Sequence, residues 1–190
     1  MKALRKGGVL CGKILLVSAL LAGPSEGAWF MKIPDVEGES TQIGYEGQIE
    51  ILSYSWGVTQ TGAFSAPVRV HKPFVIVKVI DKSTPLLMQA LCANESIAAV
   101  TVTIISPSDR AEAEVKYYTI TLKNARIVDV SPGGTVESAL ADPTAPTAAP
   151  LEQISFVYEE IKVVYEKRDS SGALIATERA VCVNPDAGGP

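Results

Sequence analysis

The feature that most limits what this chain can fold into is a succession of short β-branched runs in which apolar and small polar residues alternate. In Gln48–Gln60 (QIEILSYSWGVTQ), Leu52, Tyr54, Trp56 and Val58 share one parity, and Ser53, Ser55 and Gly57 the other. A period of two becomes two faces only on an extended strand, so the aromatic set is expected in a core and the Ser/Gly set either against something close or on a wetter surface. Further strands are expected at Phe74–Ile80, Ala99–Ile105, Val115–Val130, Ile154–Lys167 and Leu174–Val183. Two of them are long enough to twist across two sheets, and the chain reads as mainly β.

One helix interrupts this pattern. Ser83-Thr84-Pro85 offers a hydroxyl to cap free amides and a proline for the first turn, and Leu87, Ala90, Leu91 and Asn94 recur at helical spacing. The helix is expected to end near Asn94 and to lay its apolar stripe on the sheets. Two segments carry loop chemistry, Thr61–Pro67 and Pro132–Pro150, the latter rich in Pro, Ala and Thr.

The first 28 residues stand apart. Three basic groups in the first six positions precede an apolar stretch from Val9 to Ala22 and then Gly23-Pro24-Ser25-Glu26-Gly27-Ala28, the n-, h- and c-region order of a secretory signal. The stretch is too short and interrupted for a membrane span of about 20 apolar residues. Residues 29–190 are sized for one domain. With residues 1–28 set aside, 13 basic groups face 20 acidic ones, a balance that argues against nucleic-acid binding through basic patches.

Catalytic chemistry is sparse. One histidine (His71) and three cysteines (Cys11, Cys92, Cys182) do not make a typical zinc or haem ligand set, and no cofactor or metal is expected. His71, at a strand start with no partner nearby in sequence, is expected to be a loop or surface residue. Ser53 and Ser55 lack a base, and Glu37, Glu39, Glu46 and Glu50 read as a solvated acidic face, so no enzyme site is expected. Cys92 and Cys182 are either a disulfide, if the helix and last strand meet, or two reduced thiols packed as small hydrophobes.

Several longer stretches resemble one family. WFMKIPDVEGEST (Trp29–Thr41), EGQIEILSYSWGVTQ (Glu46–Gln60), PFVIVKVIDKSTPLLMQAL (Pro73–Leu91), YTITLKNA (Tyr118–Ala125) and LEQISFVYEEIKVVY (Leu151–Tyr165) together resemble the haemolysin-coregulated protein (Hcp) family, the tube protein of the type VI secretion apparatus. The resemblance covers almost all of the chain after residue 28. It implies a small two-sheet β-barrel with one α-helix at its side, a homohexameric ring, and stacked rings whose lumen carries effectors. Ser53, Ser55 and Gly57 would then face the lumen.

The partners so implied are further copies of the chain, type VI effectors and other apparatus components, without nucleic acid or stable membrane insertion. Family members start close to the equivalent of Phe30-Met31, so residues 1–28 are either a signal or an extension outside the domain. Secretion through the apparatus after cytoplasmic assembly is the expected route, and the periplasm is the destination if the signal is used. The alternative is an exported periplasmic or secreted Hcp-like binding module outside the tube.

Overall fold

A computed structural model describes residues 28–62, 68–106, 115–135, 150–169 and 173–184. The signal-like segment and most of the two Pro-rich loops lie outside the described residues. In chain order the elements are β1 (Trp29–Lys32), β2 (Ile49–Glu50), β3 (Ser53–Ser55), β4 (Val58–Thr61), β5 (Val68–His71), β6 (Phe74–Val79), α1 (Thr84–Cys92), β7 (Ile97–Ser106), β8 (Val115–Thr135), β9 (Pro150–Val157), β10 (Glu160–Arg168) and β11 (Leu174–Val183). Among the described residues no helix is long and apolar enough to cross a membrane.

All strand pairs are antiparallel, and two sheets share β8. The first half of β8 lies between β7 and β10, and β1 and β2 extend that sheet on one side and β11 on the other. The second half pairs with β9, followed by β6 and β3, while β4 and β5 form a separate hairpin. Pairing among the described residues does not close into a barrel.

The strand changes sheet at Asn124, whose φ of 47° lies in the left-handed region that asparagine tolerates. Residues up to Ala125 pair with β7, and residues from Arg126 pair with β9. Expected as one strand, Ile154–Lys167 is likewise two, because the chain crosses between the sheets at Tyr158-Glu159. The two crossings are tied together, with Asn124 Nδ2 donating to Glu159 Oε2 at 2.6 Å.

The core fills the space between the sheets with Met31, Ile49, Val102, Ile120 and Leu122 from one and Phe74, Ile76, Ile154 and Phe156 from the other. Leu87 and Ala90 of α1 join it. The helix ends as expected: Asn94, at φ 49°, bonds to the Leu91 carbonyl and Glu95 to that of Ala90, the paired closure of a Schellman turn. Its start differs from expectation, since neither Ser83 nor Thr84 caps a backbone amide of the helix. Both hydroxyls donate instead to carboxylates, Ser83 to Asp81 and Thr84 to Glu152.

A second expectation is corrected in the Gln48–Gln60 run. Leu52 is 49% exposed rather than buried, while Ile49 and Ile51 are buried and Tyr54 and Trp56 half-buried against the core. The run is three strands: β2 belongs to the first sheet, β3 to the second and β4 to the hairpin. At Leu52-Ser53 the chain passes between sheets, both residues face solvent, and the buried parity slips by one.

Candidate functional site

One sheet edge combines an unpaired backbone with several exposed apolar side chains. β11 pairs with β10 along its inner side and with nothing among the described residues along its outer side. Leu174, Ile175, Val181 and Val183 on this strand are 53–57% exposed. The register to β10 shifts at Lys167/Arg168 and leaves Ile175 as the extra residue, so Leu174 and Ile175 lie on the same face of the strand as Val181 and Val183. An unpaired edge that is also apolar is a surface built to be covered.

The β3 strand presents a different surface. Ser53 and Ser55 are exposed as expected, and Gly57 is half-buried just beyond the strand. Tyr54 turns inward between them, 5.4 Å from the Trp29 ring edge-on and 5.8 Å from Phe74 in a near-parallel stack. Burial raises the Tyr54 phenol above its ordinary pKa, with Tyr118 and Tyr117 adding to the effect, so it remains protonated. A small polar strip is thereby anchored from behind by aromatic packing.

At the seam between the hairpin and the β10–β11 edge, His71 is not the surface residue its sequence context suggests. It is half-buried, with Nδ1 3.4 Å from Tyr158 Oη and Nε2 3.5 Å from Cys182 Sγ. Tyr158 is itself buried, and its hydroxyl lies 3.4 Å from the Lys72 carbonyl. Burial, helped by the neighbouring Cys182, pushes this phenol up to about 12, so it stays a donor at any physiological pH. Cys92 and Cys182 are both free thiols.

Sequence reasoning also missed a buried ionic cluster at the start of α1. Lys78, fully withdrawn from solvent, places Nζ 2.6 Å from Asp81 Oδ1 and 2.7 Å from Glu152 Oε1. Thr84 Oγ1 donates to the same Glu152 oxygen at 2.7 Å. The signal was there to find: Lys78 shares parity with Phe74 and Ile76, and Glu152 with Ile154 and Phe156, so alternation places both charges on the core face. The acids Glu37 and Glu39 do lie at the surface, where both engage Lys82, and Glu46 accepts from the Gly44 amide.

Residues 30–165 match the family model described as type VI secretion system effector, Hcp. The chain belongs to the Hcp family. It is 33% identical over 144 residues to the "Major exported protein" of Pseudomonas aeruginosa, covering 73% of this chain and 81% of that one. Among solved structures, a type VI secretion system effector from Yersinia pestis aligns with a TM-score of 0.61 at 23% identity, over 82% of this chain and 99% of that one. Hcp1 from Salmonella typhimurium aligns with a TM-score of 0.60 at 19% identity, over 82% and 94%. These two likenesses bear on the fold: two sheets and one helix are the Hcp architecture.

Proposed function

We propose that this Hcp-family chain is a structural tube component of a type VI secretion apparatus. Copies close into a hexameric ring of two-sheet barrels, rings stack, and the lumen carries effectors. The observation that supports this most is the β11 edge, unpaired along its outer side among the described residues and lined by exposed apolar side chains. Such an edge left in water invites uncontrolled pairing, and a symmetric ring covers it with a defined neighbour. In this reading Ser53, Ser55 and Gly57 form a small polar strip on the lumen wall, repeated by symmetry, on which cargo is held by many weak contacts.

The deciding experiment is the mass of a chain starting at residue 29, measured by light scattering. A hexamer is expected, and a protein that stays monomeric at high concentration without aggregating overturns the reading. Val181→Lys with Val183→Lys should dissolve the ring while leaving the protomer folded, because exposed positions tolerate such changes within about 0.5 kcal/mol. Ser55→Gln should keep the ring and lose co-purifying cargo. A ring broken by that change instead places Ser55 in a packed contact rather than on the lumen wall.

The signal-like order of residues 1–28 favours a second reading, an exported module outside the tube. The amino-terminal residue of the protein isolated from its native host separates the two, since removal of the segment would direct the chain to the periplasm.

A further inference from the structure

Cys182 lies where the β4–β5 hairpin meets the β10–β11 edge, and with a neutral imidazole its hydrogen-bond chain has only one fully satisfied arrangement. The Lys72 carbonyl can only accept, so the Tyr158 hydroxyl donates to it at 3.4 Å. The Tyr158 oxygen then accepts from His71 Nδ1–H, also at 3.4 Å. This tautomer leaves the Nε2 lone pair directed at Cys182 Sγ, 3.5 Å away. The imidazole is further held by an edge-on ring contact with Tyr158, centroids 5.6 Å apart at 74°. A thiol, a base facing it and a third group orienting the base are the parts of an activated nucleophile.

A groove opens beside the same sulfur. It encloses about 310 Å³ and is walled by Trp56, Val58, Ile161, Val163 and Ala180 as well as Cys182. That volume is at the lower end of what holds a small organic molecule, and the lining is almost wholly apolar.

We propose that Cys182 is a covalent acceptor for small α,β-unsaturated carbonyl compounds with an apolar tail, the tail lying in the groove and His71 taking the thiol proton. The Sγ electron pair forms an S–C bond to the β-carbon as the C=C π pair moves to the α-carbon. The proton held on His71 Nε2 then returns to the α-carbon. The step is a net addition with no leaving group, oxidant or reductant. Tyr158 acts as a positioning residue, fixing the tautomer.

Cys92, exposed on the last turn of α1, serves as an internal reference thiol. The full chain is incubated with trans-2-nonenal, and adducts at each cysteine are timed by peptide mass spectrometry after borohydride reduction. Cys182 is expected to react about tenfold faster than Cys92, because only the thiolate is nucleophilic and Cys182 faces the His71 base. Excess 1-nonanol should slow Cys182 alone, and acrolein, lacking the tail, should show a smaller preference. His71→Gln should bring the Cys182 rate down to that of Cys92 without changing the latter.

Two results overturn the proposal: a Cys182 rate in the unaltered chain no greater than that of Cys92, or an unchanged Cys182 rate in a His71→Gln chain of normal melting temperature. Should that variant fail to fold, the unaltered chain still decides.

Discussion

Lys78 and Glu152 stand directly opposite each other on β6 and β9, their charged atoms 2.7 Å apart and both side chains shut off from water. Glu152 is tolerable there because of Lys78, and Lys78 because of Glu152 and Asp81. Asp81 and Thr84 complete the cluster, so it fixes the register of two strands and the start of the helix together. One Glu152 oxygen, Oε2, is buried without a partner among the described residues, and this makes the site unforgiving of further loss.

Lys78→Met should therefore destabilise the chain by about 3–5 kcal/mol, since it leaves carboxylates in a low-dielectric site without their cation. Adding Glu152→Leu should recover part of that loss, because an apolar pair of similar size removes the orphaned charge. Urea unfolding of the single and double variants reads the coupling. A double variant as unstable as the sum of both singles would show that the pair is not energetically linked.

The same cluster sets an acid limit. Burial alone would raise the Asp81 carboxyl, but hydrogen bonds from Lys78 and Ser83 and the Lys78 charge outweigh it and hold the group below the ordinary aspartate range. A depressed folded-state value means that Asp81 contributes stability above the unfolded value of about 3.9 and loses it as pH falls through the folded value. Unfolding midpoints measured between about pH 7 and pH 2 should drop on the acid side. Asp81→Asn should lower the neutral plateau and flatten that drop. Some slope should remain, because Glu166 is also held low, chiefly by its hydrogen bond from Arg168.

The parity slip in the Gln48–Gln60 run makes a sharp contrast between neighbours. Ile51 is buried and Leu52 exposed, although sequence alternation alone ranks Leu52 with the aromatic core residues. Ile51→Ala should cost about 2–5 kcal/mol. Leu52→Ser should change protomer stability by no more than about 0.5 kcal/mol. Reversed magnitudes in thermal or chemical unfolding would restore the unbroken strand.

These cases mark where alternation is and is not a sufficient guide. Leu174–Val183 occupies one sheet from end to end, and its bounds agree with the sequence pattern. So does the close of α1, because Asn94 carries its own turn chemistry. Alternation fails where the chain leaves one sheet for another, at Leu52-Ser53 and at Tyr158-Glu159. There, long-range pairing rather than local preference chooses the face. The His71, Tyr158 and Cys182 grouping was out of reach for a related reason. Cys182 is 111 residues from His71, and only the packing of the hairpin on the β10–β11 edge joins them.

The loop after β1 depends on one glycine that alternation does not reveal. Gly38 lies in the Gly-Glu-Ser element, its amide bonded to the Gly47 carbonyl at 2.8 Å. A Cβ at this position would sit 2.3 Å from the Gln48 carbonyl oxygen and 2.5 Å from the Ile49 Cα. These are backbone atoms in a segment that pairs with β1, so no side-chain rotation relieves the clash. Gly38→Ala should push the loop from the sheet and cost about 3 kcal/mol, the upper part of the overpacking range. By contrast, Gly57→Ala meets only Lys72 Cδ at an ordinary 3.6 Å and should be tolerated. Comparing the two melting temperatures checks the assignment: equal effects would mean that close approach of the backbone is not what Gly38 provides.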